Sequence, residues 1–100
     1  PLNAEELKTD YDTWYLDTCA THHLTYRRDW LEDYRVLSNQ LQVIFGDKGK
    51  KVAVSKGTIK IKLSKHHQIT VHNVYYVHAL AKHLLSVGQA IIDGLKIKFC

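Results

Sequence analysis

The run QLQVIFGDKGKKVAV, residues 40–54, decides the fold. Leu41, Val43 and Phe45 alternate with polar or outward positions, then Val52 and Val54 resume the same rhythm after an interruption. A period of two is the signature of a strand with one buried face. The interruption is GDKGKK, in which Gly46 and Gly49 bracket Asp47 and Lys48. Glycines around a polar pair mark the tip of a β-hairpin.

Working outward towards the C-terminus, the pattern persists. TIKIKL, residues 58–63, places Ile59, Ile61 and Leu63 on one face and Lys60 and Lys62 on the other. QITVHNVYYV, residues 68–77, is rich in β-formers, and its apolar parity shifts at His72-Asn73, which predicts a bulge. SKG at 55–57 and SKHHQ at 64–68 read as the intervening turns. Four such segments predict an antiparallel, mostly β domain. The period then changes. Leu80, Leu84, Val87 and Ile91 recur at helical spacing, and Ser86 followed by Gln89 has the form of a capping box. Gly94 supplies a stop. LKIKF, residues 95–99, alternates again and predicts a terminal strand.

Towards the N-terminus, residues 27–39 are charged with scattered apolar positions, which fits either a turn of helix or an irregular connection. TWYL, residues 13–16, predicts a short strand ending at Asp17, and residues 1–12 read as a polar tail. The expected organisation is therefore a tail, 1–12, and one domain, 13–100. The chain starts at Pro1, which suggests a piece of something longer.

One hundred residues with 45% apolar content make one small domain, too short to hold a deep cleft between two lobes without a second copy. The net charge of +4 permits nucleic-acid contact without demanding it. Only two cysteines occur, Cys19 and Cys100, with no CxxC pair, which favours a reducing compartment. No apolar run approaches the length of a membrane span.

The chemistry concentrates in WYLDTCATHHLTY, residues 14–26. Asp17 could be a catalytic carboxylate in a tight turn. Cys19 with His22 or His23 could form a nucleophile and base, although such pairs are usually joined by the fold rather than by adjacency. Cys19, His22 and His23 could supply zinc ligands, with His66, His67 or Cys100 as a fourth, but no pair has the usual spacing. Otherwise His22 and His23 read as surface or interface residues. Lysines 48, 50, 51, 56, 60, 62 and 65 read as the solvated face of the sheet, or as an RNA contact that lacks interleaved aromatics. Trp14 and Trp30 are candidate core residues.

Taken in order, four pieces resemble a retroviral-type aspartic protease of the copia-type branch of LTR retrotransposons. WYLDTCATHHLT resembles the Asp-Ser/Thr-Gly-Ala motif, with Asp17, Thr18, Ala20 and the following His23 in the matching positions. VIFGDKGKKVAV resembles the flap hairpin, VHNVYYVHALAKHLLSVGQAIIDG resembles the closing block, and LKIKF falls at the dimerisation strand. Cys19 stands where the family has Gly, His78 where Pro is common, and His83 where Asn is common.

The resemblance implies a small closed, barrel-like retropepsin fold, mostly β, with a flap hairpin and one short C-terminal helix. It implies a homodimer in which two copies of Asp17 share a proton and activate water. Thr18, Cys19 and Ala20 would support the turn, with Thr18 bonding across the dimer and the position-19 amide donating to the carboxylate. Gly46, Asp47, Lys48, Gly49 and Lys50 would cover substrate, and Leu95, Ile97 and Phe99 would join the two copies. No metal or cofactor is implied. The implied substrate is a Gag-Pol polyprotein, cut in cytoplasmic virus-like particles. The alternative is a protease-derived dimeric binding or assembly module of weak or absent activity, with Cys19 marking relaxed constraint.

Overall fold

A computed structural model describes residues 4–8, 13–46 and 49–94. The strands are β1 (Ala4–Lys8), β2 (Thr13–Asp17), β3 (His23–Thr25), β4 (Glu32–Phe45), β5 (Gly49–Ser64), β6 (His67–Tyr76) and β7 (His83–Ser86). One helix, α1 (Val87–Ile92), follows directly on β7, and a single 3-10 turn spans Arg28–Trp30. The mostly β class with one short helix agrees with the sequence reading.

The strands form one sheet in the order β1-β2-β7-β3-β6-β5-β4. Among the described residues the sheet has two free edges, β1 and β4, so it curls without closing into the barrel that was expected. Its centre has an interleaved topology. β7 lies between β2, to which it is parallel, and β3, to which it is antiparallel. The connection from β2 to β3, residues 18–22, therefore crosses the end of β7. That crossing is where the chemically interesting residues lie.

Every residue of β3 and β7 is buried. Leu85 packs on one face with Trp14, Ile59, Ile61, Ile69, Val71 and Val74. Leu84 packs on the other with Leu24, Val43, Ala53, Val77 and Leu80. A strand covered on both faces loses its alternation. This explains why Leu80, Leu84, Val87 and Ile91 mimicked a helix, although Leu84 is in a strand and the helix starts only at Val87.

KKVAV and TIKIKL are not two strands joined by a turn at SKG. They are one sixteen-residue strand, β5. Its pairing with β6 is irregular, with a register shift just after Gly57. At Gly57 another stretch of chain comes close: a Cβ there would meet the Glu32 carbonyl at 2.7 Å and Leu31 Cβ at 2.9 Å. Glycine lets the start of β4 pass across β5. Opposite it, β6 carries the expected bulge: register shifts between the Gly57 and Ile59 pairings, and Asn73 takes a positive φ of 56°.

Residues 27–39, left open between helix and connection, are the 3-10 turn and the first half of β4. This half is largely exposed and interrupted by register shifts, with Asp33 at φ 54°. The N-terminal tail contains an edge strand, since β1 pairs antiparallel with β2.

Candidate functional site

β2 ends at Asp17, side by side with Ser86 at the end of β7. The chain then turns through Thr18 and Cys19. Asp17 is buried, 4% exposed. A carboxylate that loses water must gain donors, and both oxygens have one. The Cys19 amide donates to Oδ1 at 2.8 Å, and the Gly46 amide donates to Oδ2 at 3.2 Å. Cys19 is not among the residues with positive φ, so its Cβ creates no left-handed strain where the resembled family has Gly. Thr18 is exposed, Cys19 is half-buried and Ala20 is buried.

The turn is fixed from two sides. From below, Ser86 acts on three groups at once. Its hydroxyl donates to the Ala20 carbonyl at 2.7 Å and accepts from the Gln89 amide at 3.1 Å, capping α1. Its own amide donates to His23 Nδ1 at 3.0 Å. That bond requires an unprotonated Nδ1. Burial pushes the His23 pKa down to about 4, against a raising influence from Asp93 and with a further lowering one from His22. His23 is thus a neutral structural acceptor in the interior of the chain, 1% exposed, where a surface or interface residue was expected.

From above, Thr21 clasps β4. The Thr21 amide donates to the Ile44 carbonyl at 2.9 Å, and the Ile44 amide donates to Thr21 Oγ1 at 3.1 Å. Two residues later Gly46, at φ 61°, turns its amide onto Asp17. The start of the hairpin therefore rests directly on the carboxylate. Gly49 packs against the Phe45 ring and Lys50 is exposed. Asp47, Lys48 and the expected interface residues Leu95, Ile97 and Phe99 lie outside the described residues.

The competing constellations are not assembled. Among the described residues, Cys19 Sγ has no hydrogen bond to either imidazole, and no group of three or more metal-binding side chains occurs. His22 Nδ1 lies 2.8 Å from Thr21 Oγ1, and its ring meets Tyr75 edge-on.

His83 shows something the sequence did not. It is buried, stacks on Tyr26 at 4.2 Å, and packs beside Trp30 and Trp14 at 4.6 and 5.0 Å. Its Nδ1 is 2.9 Å from Thr25 Oγ1. The ring thereby ties β7 to β3 and to the 3-10 turn. Nothing in sequence spacing signals a contact of 58 residues' separation.

An acid-bearing turn, pinned on one side by the end of a parallel strand and on the other by a hairpin, defines a small β domain built around Asp17. The family model of the Pol polyprotein beta-barrel domain matches residues 14–95, and the chain belongs to that family. Its origin is therefore a retroelement Pol polyprotein. No curated protein and no solved structure matches the chain.

Proposed function

We propose that this Pol domain is one half of an aspartic endopeptidase of copia type. Two copies would bring their Asp17 turns together and cut the parent Gag-Pol polyprotein, inside cytoplasmic particles. The observation that carries the reading is the Asp17 turn itself. It presents one carboxylate on a β-strand end, held by the amide two residues on, with the hairpin directly above it. One carboxylate alone cannot both deprotonate a water and protonate a carbonyl oxygen. A symmetric dimer supplies the second.

In this mechanism the two carboxyl groups share one proton. The ionised one takes a proton from water as the water attacks the scissile carbonyl. The protonated one hydrogen-bonds the carbonyl oxygen and donates to it. The resulting tetrahedral species collapses with expulsion of the amine, which takes up a proton, and no covalent enzyme intermediate forms. The contact from Gly46 must first be released, because it occupies the oxygen that water and the second turn need. Extended substrate then enters between turn and hairpin as an added strand, and the hairpin closes over it.

The same contact favours a second reading. A buried carboxylate with an amide of its own chain on each oxygen is a stable structural element. A dimer that never opens would be a binding or assembly module. Incubating the purified chain with its Gag-Pol precursor separates the two. Cleavage by the native chain and none by Asp17→Asn supports the enzyme. A stable dimer that cuts at neither mildly acidic nor neutral pH supports the module.

A further inference from the structure

We infer that the concavity at the far end of β3 from Asp17 binds single-stranded nucleic acid. The lysine stretch read from the sequence lacked aromatic partners. The fold supplies both chemistries elsewhere, by joining residues distant in the chain. Tyr26 and the adjacent Arg27 and Arg28 leave β3, Tyr34 enters from β4, and Tyr76 and His78 come from the end of β6. Together they line an open hollow of about 650 Å³.

The roles divide by geometry. The Arg28 guanidinium lies 4.5 Å from the centre of the Tyr34 ring. It is exposed, and among the described residues no carboxylate pairs with it. A guanidinium resting over a ring without a carboxylate partner has donors left for phosphate oxygens. Arg27 is different. It forms a two-pronged pair with Asp29, at 3.0 and 2.7 Å, and lies over Trp30 at 4.8 Å. That pair stiffens the 3-10 turn that presents Arg28. On the opposite wall the Tyr76 hydroxyl is 3.1 Å from His78 Nδ1, which fixes the two rings relative to each other.

Aromatic faces beside a guanidinium suit unstacked bases, whose planar rings stack without regard to sequence. A duplex hides those rings. With Arg27 paired to Asp29, Arg28 is, among the described residues, the one arginine of the hollow without a carboxylate partner, so binding is weak and its salt dependence shallow. The hollow lies apart from the Asp17 turn, so binding here does not depend on whether the domain cuts peptides.

The test is fluorescence anisotropy of a labelled 12-nucleotide oligouridylate with the native chain at low and moderate salt. Arg28→Glu is expected to weaken binding about tenfold and to flatten the salt dependence. Tyr34→Ala is expected to weaken it by roughly fivefold or more with the salt slope intact. Lys60→Glu, on the lysine face, should leave affinity unchanged. Thermal unfolding verifies that each variant is folded, and exposed Arg28 keeps the test valid if Tyr34→Ala does not fold. The inference is overturned by absent binding at low salt, by Arg28→Glu binding as the native chain does, or by a larger loss in Lys60→Glu. Equal affinity for the duplex, or tighter binding of a polyglutamate peptide at the same residues, also overturns it.

Discussion

His23, buried behind the Asp17 turn and bonded by the Ser86 amide, couples the stability of the domain to acid. An unfolded chain protonates an ordinary imidazole near about 6.5, whereas folded His23 resists until about 4, chiefly through burial. Between those values the unfolded chain binds more protons, so falling pH costs stability. The contribution is complete above the unfolded value, shrinks as pH drops towards the folded one, and is gone below it. The loss is at most about 3 kcal/mol. His23→Gln keeps an acceptor for the Ser86 amide and removes the titration. Thermal melts of both chains across that window should show a steeper acid decline in the native chain; parallel declines would dismiss His23 as the cause. A second residue-scale expectation concerns Cys19. Because its φ is not positive, Cys19→Gly relieves no strain and adds only unfolded-state freedom. It should lower stability by about 0.5–1 kcal/mol, and a higher melting temperature would show that the side chain is strained after all. Asp17 and its neighbours were legible from residue types alone. The capping of α1 by Ser86 was legible too, because that bond spans only three residues. The roles of His23 and Thr21, the Ser86 bond to Ala20 and the Gly46 bond to Asp17 were not, because each spans a large part of the chain.

At the level of elements, legibility follows solvent. The second half of β5 announced itself because Ile59 and Ile61 are buried while Lys60 faces outwards; in its first half the expected face is reversed, with Val52 and Val54 exposed and Ala53 buried. β7 did not, since water touches neither of its faces. The first half of β4 did not either, for the opposite reason. It is wet on both sides and broken by register shifts, so no face selects apolar residues. Gly57 was misread as a turn because glycine also marks a close crossing of two chains. Gly57→Ala tests that crossing. The added carbon would press on the Glu32 carbonyl and on Leu31, two groups that are backbone or close to it and cannot swing away. The variant should lose roughly 1–3 kcal/mol in urea unfolding. An unchanged midpoint would mean that β4 and β5 separate there without cost.

For the whole molecule, the question is what this Pol-derived β domain does with a carboxylate that its own hairpin covers. The closed arrangement of Asp17, Cys19 and Gly46 explains how a single chain tolerates a buried acid. If the domain works as proposed, opening is coupled to the arrival of a second turn and a substrate strand. α1 ends in Ile91 and Ile92, which are 75% and 78% exposed, and leads into the segment expected to join the copies. The most direct measurement mixes native chain with Asp17→Asn at constant total concentration and follows precursor cleavage against the native fraction. If the working unit takes one acid from each of two chains, the rate falls with the square of that fraction, to about a quarter in an equal mixture. A rate that falls in simple proportion, or a pure native chain that cuts nothing, would contradict the account.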